Sequence, residues 1–173
     1  DALARFRKLW WPLLGLVVVL GLIVIVRRTA SQDLRYYRPT QIAAVQIMDA
    51  WRARHPGQTL QWVGGEWAEN AMLSFYAQPH LRTLPGVPDS AEAQVYGLGG
   101  ELQQSQGLLL CPRGPLAQPT VTLCEEEAEN WLRARGLPAV PQVLVVQRSG
   151  WRFPRPVPFA YAVFDVPPVA VSQ

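Results

Sequence analysis

Lysine is nearly missing from this sequence. Lys8 is the only one, so arginine supplies the rest of the sixteen basic residues. Against thirteen acidic residues the formal net charge is +3. The arginines at 52, 54, 82, 113, 133, 135, 148, 152 and 155 are scattered rather than gathered in one run. That excludes the basic patch a nucleic-acid site needs, so no nucleic-acid partner is expected. Histidine is equally scarce. His55 and His80 have no cysteine or acid at ligand spacing, so no metal site is expected. Cys-x-x-C is absent, which removes a thioredoxin-type redox role. Ser74, Ser105 and Ser149 lack the glycine context of a nucleophile elbow. There is no P-loop lysine and no G-x-G-x-x-G, so no cofactor and no catalytic residue are assigned.

Charge is also missing from one long stretch. Leu9 to Val26 (LWWPLLGLVVVLGLIVIV) holds eighteen residues and no charged side chain. A helix of that length spans roughly 27 Å, close to the hydrocarbon thickness of a bilayer. Arg5, Arg7 and Lys8 precede it, Arg27 and Arg28 follow it, and Trp10 and Trp11 stand where an interfacial aromatic belt is expected. Pro12 falls in the first turn of this run, where a missing N–H costs little. A buried core helix and a secretory signal peptide are the alternatives. Apolar residues on all faces argue against the first, and Arg27-Arg28 in place of a small-residue cleavage site argues against the second. The expectation is a membrane anchor with the bilayer as partner, and a domain after it. The chain opens on Asp1 rather than Met, so it is expected to be a fragment or a processed product.

The cations on the two sides of the span are nearly balanced and leave its orientation open. The cysteines favour one side. Cys111 and Cys124 form an even count in one short segment, which suits a disulfide in an oxidising, extracytoplasmic compartment of the plasma (inner) membrane. Two buried free thiols are the alternative.

The pattern along the chain predicts four parts: 1–28 as a transmembrane helix with basic flanks, 29–39 as a juxtamembrane linker, 40–167 as an α/β domain, and 168–173 as a tail. Thr40 is the expected N-cap of a helix whose Ala44, Ile47, Met48 and Trp51 share one face. Arg52 and Arg54 suit its last turn and His55-Pro56-Gly57 ends it. Gln58 to Val63 alternates as a strand with Leu60 and Trp62 inward. Gly64-Gly65 reads as a tight turn into a helix over 66–78 that carries Trp67, Met72, Phe75 and Tyr76. Short elements follow at 81–84 and 91–96, and GLLLC (107–111) reads as a buried strand. Thr122 and Glu125 match a capping box, with Glu125, Glu126 and Glu127 in the first turn of a helix whose Cys124, Ala128, Trp131 and Leu132 share a face. Gly136 is the expected stop. Val143–Gln147 is a strand, Arg148-Ser149-Gly150 a hairpin turn, and Phe159–Val166 the last strand. The fold class is α/β, a small three-layer domain with a mostly parallel sheet and a C-terminal hairpin.

Gly64, Gly65, Glu66 and Trp67 are the candidate ligand-binding residues. Backbone N–H groups between a strand and a helix can hold an anion, and Trp62 or Trp67 could stack on a sugar. Against this stand a purely structural turn, core tryptophans, and the repulsion of phosphate by Glu66. Glu66 and Glu69, three apart on one helix, could pair as acid and base or simply form a solvated face.

Trp62-Val63-Gly64-Gly65-Glu66, then Asn70, Ser74-Phe75-Tyr76, Pro79 and Leu84-Pro85, form one set of motifs. The GLLLC strand and a second cysteine opening a helix add to it. With the preceding apolar helix, they resemble the C-terminal end of bacterial membrane glycosyltransferases of the dolichyl-phosphate-mannose-protein mannosyltransferase and aminoarabinose transferase type, over roughly residues 9–166. The resemblance implies the last membrane helix and the extracytoplasmic domain of an enzyme that moves a sugar from a polyprenyl-phosphate carrier. It implies that the rest of a polytopic membrane protein is a partner, with polyprenyl-phosphate sugar as substrate. The catalytic loops of that family lie between earlier membrane helices, so no catalytic residue transfers to this chain. The rival is a single-pass anchored extracytoplasmic binding or assembly module without enzyme activity.

Overall fold

The computed structural model describes residues 2–30, 38–76, 81–95, 102, 104–113, 119–150 and 153–168. It divides into two units, Asp1–Tyr37 and Arg38–Gln173. The first unit is helix α1, Ala2–Ala30. It begins well before the apolar run, so Pro12 is an interior proline rather than a first-turn one. Its ring leaves the Lys8 carbonyl without the usual i→i−4 donor. Every described side chain of α1, from Trp10 to Val26, is exposed. Among the described residues no helix is long and apolar enough to cross a membrane.

The second unit is an α/β domain around a five-stranded mixed sheet. Helix α2, Thr40–Arg54, buries Ala43, Ala44, Ile47, Met48 and Trp51, the stripe its 3.6-residue period predicts. The expected cap is displaced by one residue. Pro39 takes the N-cap place with no side-chain cap, and its carbonyl accepts from the Ala43 N–H at 2.8 Å, so Thr40 is the first helical residue. After the turn at Gly57, whose φ is 77°, strand β1 covers Trp62–Gly65. Helix α3 (Trp67–Tyr76), strand β2 (Arg82–Thr83) and the short helix α4 (Ala91–Val95) follow. Ser90 caps α4 through a 3.1 Å bond from the Ala93 N–H to its Oγ. Strand β3 is Gly107–Arg113, helix α5 Pro119–Ala134, and strands β4 and β5 are Gln142–Gly150 and Phe153–Val166.

The strand order is β2-β1-β3-β5-β4. β1 pairs parallel with β2 and β3, whereas β5 pairs antiparallel with both β3 and β4. The sheet is therefore mixed, not mostly parallel. β4 and β5 form the expected C-terminal hairpin, and its second strand lies between β3 and β4. Side chains alternate across it. Trp62, Leu109, Cys111, Ala162, Phe164 and Val166 pack with Ala93 of α4 and with Ala128, Trp131 and Leu132 of α5. Their neighbours in sequence, among them Val63, Leu108, Leu110 and Tyr161, are buried on the other face, the side of α2 and α3. Helices thus cover both faces.

Two boundaries differ from expectation for physical reasons. Helix α5 starts at Pro119, so Thr122 and Glu125 lie inside it and no acidic residue falls in its first turn. Proline suits a helix start, where its missing N–H is no loss. Its end matches the expectation: Gly136 at φ 65°, with bonds from the Gly136 N–H to the Arg133 carbonyl and from the Leu137 N–H to the Leu132 carbonyl, both 3.0 Å, closes a Schellman motif. Strand β4 continues through Arg148-Ser149-Gly150, which were expected to turn. Strand β5 begins at Phe153 in spite of Pro154, Pro156 and Pro158. Prolines at alternate positions place every missing N–H on one edge of the strand. β3 stops at the Arg113–Ala160 pair, so the prolines lie where that edge has no strand to bond.

Cys111 and Cys124 are joined in a disulfide with their Cα atoms 5.9 Å apart. It ties the centre of β3 to α5. Beside it, Arg113 Nε donates to both carboxylate oxygens of Glu125, at 2.8 and 2.9 Å. A bridge that closes a loop of this size stabilises by about 3 kcal/mol in the chain-entropy model, so reduction is expected to lower the unfolding free energy by about that amount, read from urea unfolding with and without reductant. Gly107 lies against the Trp62 ring, and a Cβ there would sit 2.0 Å from Trp62 Cε2. Gly107→Ala is expected to destabilise the domain by about 3 kcal/mol or more, because two-sided burial leaves the ring nowhere to move. Thermal unfolding of the variant checks this.

Candidate functional site

The chain leaves β1 toward β2 and comes back across it to β3, so the carboxyl end of β1 is a topological switch point, where open α/β sheets bind ligands. A cleft of about 260 Å³ lies there. Gly65, Glu66 and Trp67 line it, with Gly86, Glu92 and Glu127 opposite. Three of the four residues singled out in the sequence are therefore together at this position.

Their roles differ from the expected ones. Gly64 and Gly65 are strand residues, paired with Leu109 and Leu110, not a turn. The Gly65 N–H donates to the Gly86 carbonyl at 2.7 Å, and the Glu66 N–H to the Leu110 carbonyl at 3.0 Å. These amides are spent inside the fold and cannot cradle an anion. Close approach explains the glycines instead. A Cβ on Gly64 would meet the Gly86 carbonyl oxygen at 2.7 Å, and one on Gly65, whose φ is 107°, the Leu110 oxygen at 2.3 Å. The electrostatics also oppose phosphate: burial, then the neighbouring Glu92 charge, raises the Glu127 carboxyl above its ordinary range. Trp62 is buried, as expected, but Trp67 is 57% exposed at the cleft rim rather than in the core.

Glu69 does not form the solvated face its spacing from Glu66 allows, being only 2% exposed and ion-paired with Arg38. Burial pushes its carboxyl up to about 7, the Arg38 guanidinium opposes that rise, and the Glu66 charge adds to it. Tyr161 lies in the same field, its hydroxyl raised to about 12 by burial and by Glu69. Among the described residues the second Glu69 oxygen, Arg38 Nε and the Tyr161 hydroxyl have no hydrogen-bond partner. Next to Glu69, Asn70 is fully buried and donates to the Leu84 carbonyl at 2.6 Å, which holds α3 to the loop after β2.

A larger cavity, about 1070 Å³, opens at the other end of the sheet. Its charged centre is Arg54, His55 and Asp165. Arg54 grips Asp165 with Nε and Nη2 at 2.8 and 2.9 Å, and His55 Nε2 lies 3.1 Å from Asp165 Oδ2. Burial pushes the Asp165 carboxyl up, but the hydrogen bonds and charges of Arg54 and His55 outweigh it and hold the carboxyl below its ordinary range. A carboxylate orienting an imidazole is half of a nucleophile-activating device. The nearby Ser105 hydroxyl, however, donates to the Leu102 carbonyl at 3.0 Å and not to the imidazole. The cavity also lies at the amino ends of the parallel strands, the reverse of the usual position for such sites. Sequence reasoning noted Arg54 and His55 only as a helix end and passed over Asp165. Nothing local marks that aspartate, whose partners are 110 and 111 positions away.

Comparison with protein-family models, with curated proteins and with solved structures finds no match to this chain.

The buried Glu69 gives the domain a defined pH response. The folded protein holds the Glu69 proton up to about pH 7, while the unfolded chain releases it near 4.5. Between those values the folded state binds more protons, so this group's contribution is complete below pH 4.5 and is lost as pH rises to 7. The loss is on the order of 3 kcal/mol. Urea unfolding at stepped pH is expected to show this slope in the wild type and to lose it in Glu69→Gln.

Proposed function

We propose that this chain is the membrane-anchored C-terminal domain of a polyprenyl-phosphate-sugar-dependent glycosyltransferase, on the extracytoplasmic side of the plasma membrane and not catalytic by itself. The observation that carries the reading is the pairing, in one short chain, of an apolar helix with a disulfide-tied α/β domain. Leu9 to Val26 is the proposed span, within a helix of 29 residues whose described side chains are exposed on every face. The Cys111–Cys124 bridge fits an oxidising compartment. The Trp62–Tyr76 motif supports the family: its glycines serve strand contact and its Asn70 holds a loop, which are scaffold roles and not chemical ones. In such an enzyme the domain would support or select the acceptor while the sugar transfer occurs in the membrane part.

The cavity around Arg54, His55 and Asp165 favours a second reading, in which the same anchored domain binds an envelope ligand without taking part in a transferase. The intact mass of the native protein separates the two. A mass far above the 19.3 kDa of this chain, with several further membrane spans, is expected for the transferase. A native protein of this size would overturn that reading. Alkylation of the unfolded protein tests the compartment: labelling of Cys111 and Cys124 only after reduction is expected, and labelling without reduction would remove the support for the extracytoplasmic side.

A further inference from the structure

Helix α3 turns its polar groups inward and its aromatic ones outward. Glu69 and Asn70 are buried, while Trp67 is 57% and Phe75 79% exposed. Trp67, Ala71 and Phe75 stand at i, i+4 and i+8, so they form one stripe along the helix, and all three are exposed. Tyr76, also exposed, packs edge-on against Phe75 with ring centroids 4.8 Å apart. Helix α2 lies beside α3 and shows a second apolar pair, Ile42 and Val45, at i and i+3 on its exposed side. Large aromatics left in water on adjacent helices mark an interaction surface.

We infer that this α2–α3 surface seats the domain in the headgroup region of the bilayer. The inference rests on the anchored reading above. Seven residues, 31–37, join the end of α1 to Arg38, two positions before α2. Fully extended, that connection reaches at most ~27 Å. The first residue of the domain, Arg38, is thereby tethered to the end of the anchor helix. The chemistry of the stripe suits an interface. Tryptophan and tyrosine put an apolar ring into the acyl boundary and a polar edge into the headgroups. No charged residue lies on the Trp67–Ala71–Phe75 stripe, so its burial desolvates no ion. The Arg38–Glu69 pair ties the residues just before α2 to the first turn of α3.

The test uses the full chain reconstituted into vesicles of phosphatidylethanolamine and phosphatidylglycerol, with a nitroxide at Ala71→Cys and, for comparison, at Glu126→Cys on α5. The two native cysteines are joined and do not take the label. Oxygen concentrates in lipid and a water-soluble nickel chelate does not. The ratio of oxygen to nickel relaxation is expected to be about threefold or more higher at 71 than at 126, as for a side chain below the headgroups. Val45→Cys on α2 gives the same reading should Ala71→Cys not fold. Equal nickel access at both positions would overturn the inference. A label at 71 that is immobilised and shielded from both reagents would overturn it too, in favour of a protein neighbour. Flotation with the vesicles separates the two levels. A chain that floats with its 71 label in water sinks only this surface, while a chain that does not float sinks the anchor as well.

Discussion

The domain depends on one close approach, the Trp62 ring laid across Gly107. Trp62 and Gly107 are register partners on β1 and β3, and the indole occupies the space where a Cβ of residue 107 would stand. Its Nε1 reaches the Ser105 carbonyl at 3.2 Å, which fixes the ring and the loop entering β3 together. The same strand pair continues through Gly64 and Gly65, which admit the Leu109 side chain and the Leu110 backbone. Three glycines and one tryptophan therefore set the spacing and register of the central parallel pair. The α5 layer then builds on Leu109 and Cys111, and the disulfide holds it in place.

Charge is placed with similar economy. Arg113–Glu125 guards the disulfide, Arg54 and His55 close on Asp165, and Arg135 lies 4.1 Å over the Trp131 ring while pairing with Asp89. Arg113–Glu125, Arg54–Asp165 and Arg135–Asp89 each join separate parts of the chain, whereas the Arg135–Trp131 contact is local to the end of α5. The exception in kind is Arg38–Glu69, where burial dominates and leaves polar atoms without partners. A half-satisfied buried pair is a costly way to stabilise a fold. It stands at the first residues of the second unit.

The elements that could be read from the sequence were those whose signal is local. The apolar stripe of α2, the buried GLLLC strand and the Cys124–Leu132 face of α5 follow from periodicity alone, and the structure keeps them. The errors share one cause. Gly64-Gly65 looked like a turn because glycine is usual there, but here it answers a neighbour strand more than forty residues ahead. Trp67 looked like core and Glu69 like surface, because the helix phase was set by its large residues. The structure rotates α3 the other way, so the carboxylate meets Arg38 and the indole is left outside. The prolines of β5 hid half a strand, since their tolerance depends on how far β3 extends.

The sequence by itself determined the α/β class, the order of the main helices and strands, the apolar helix at the start and the two cysteines available for a bridge. These rest on the spacing of residues along the chain, and spacing is a local property. Only the tertiary structure decided the mixed sheet, the outward turn of Trp67 and Phe75, and the meeting of Asp165 with Arg54 and His55. Those depend on which strand edge and which helix face find each other across a hundred residues, and that is settled by packing the whole core at once.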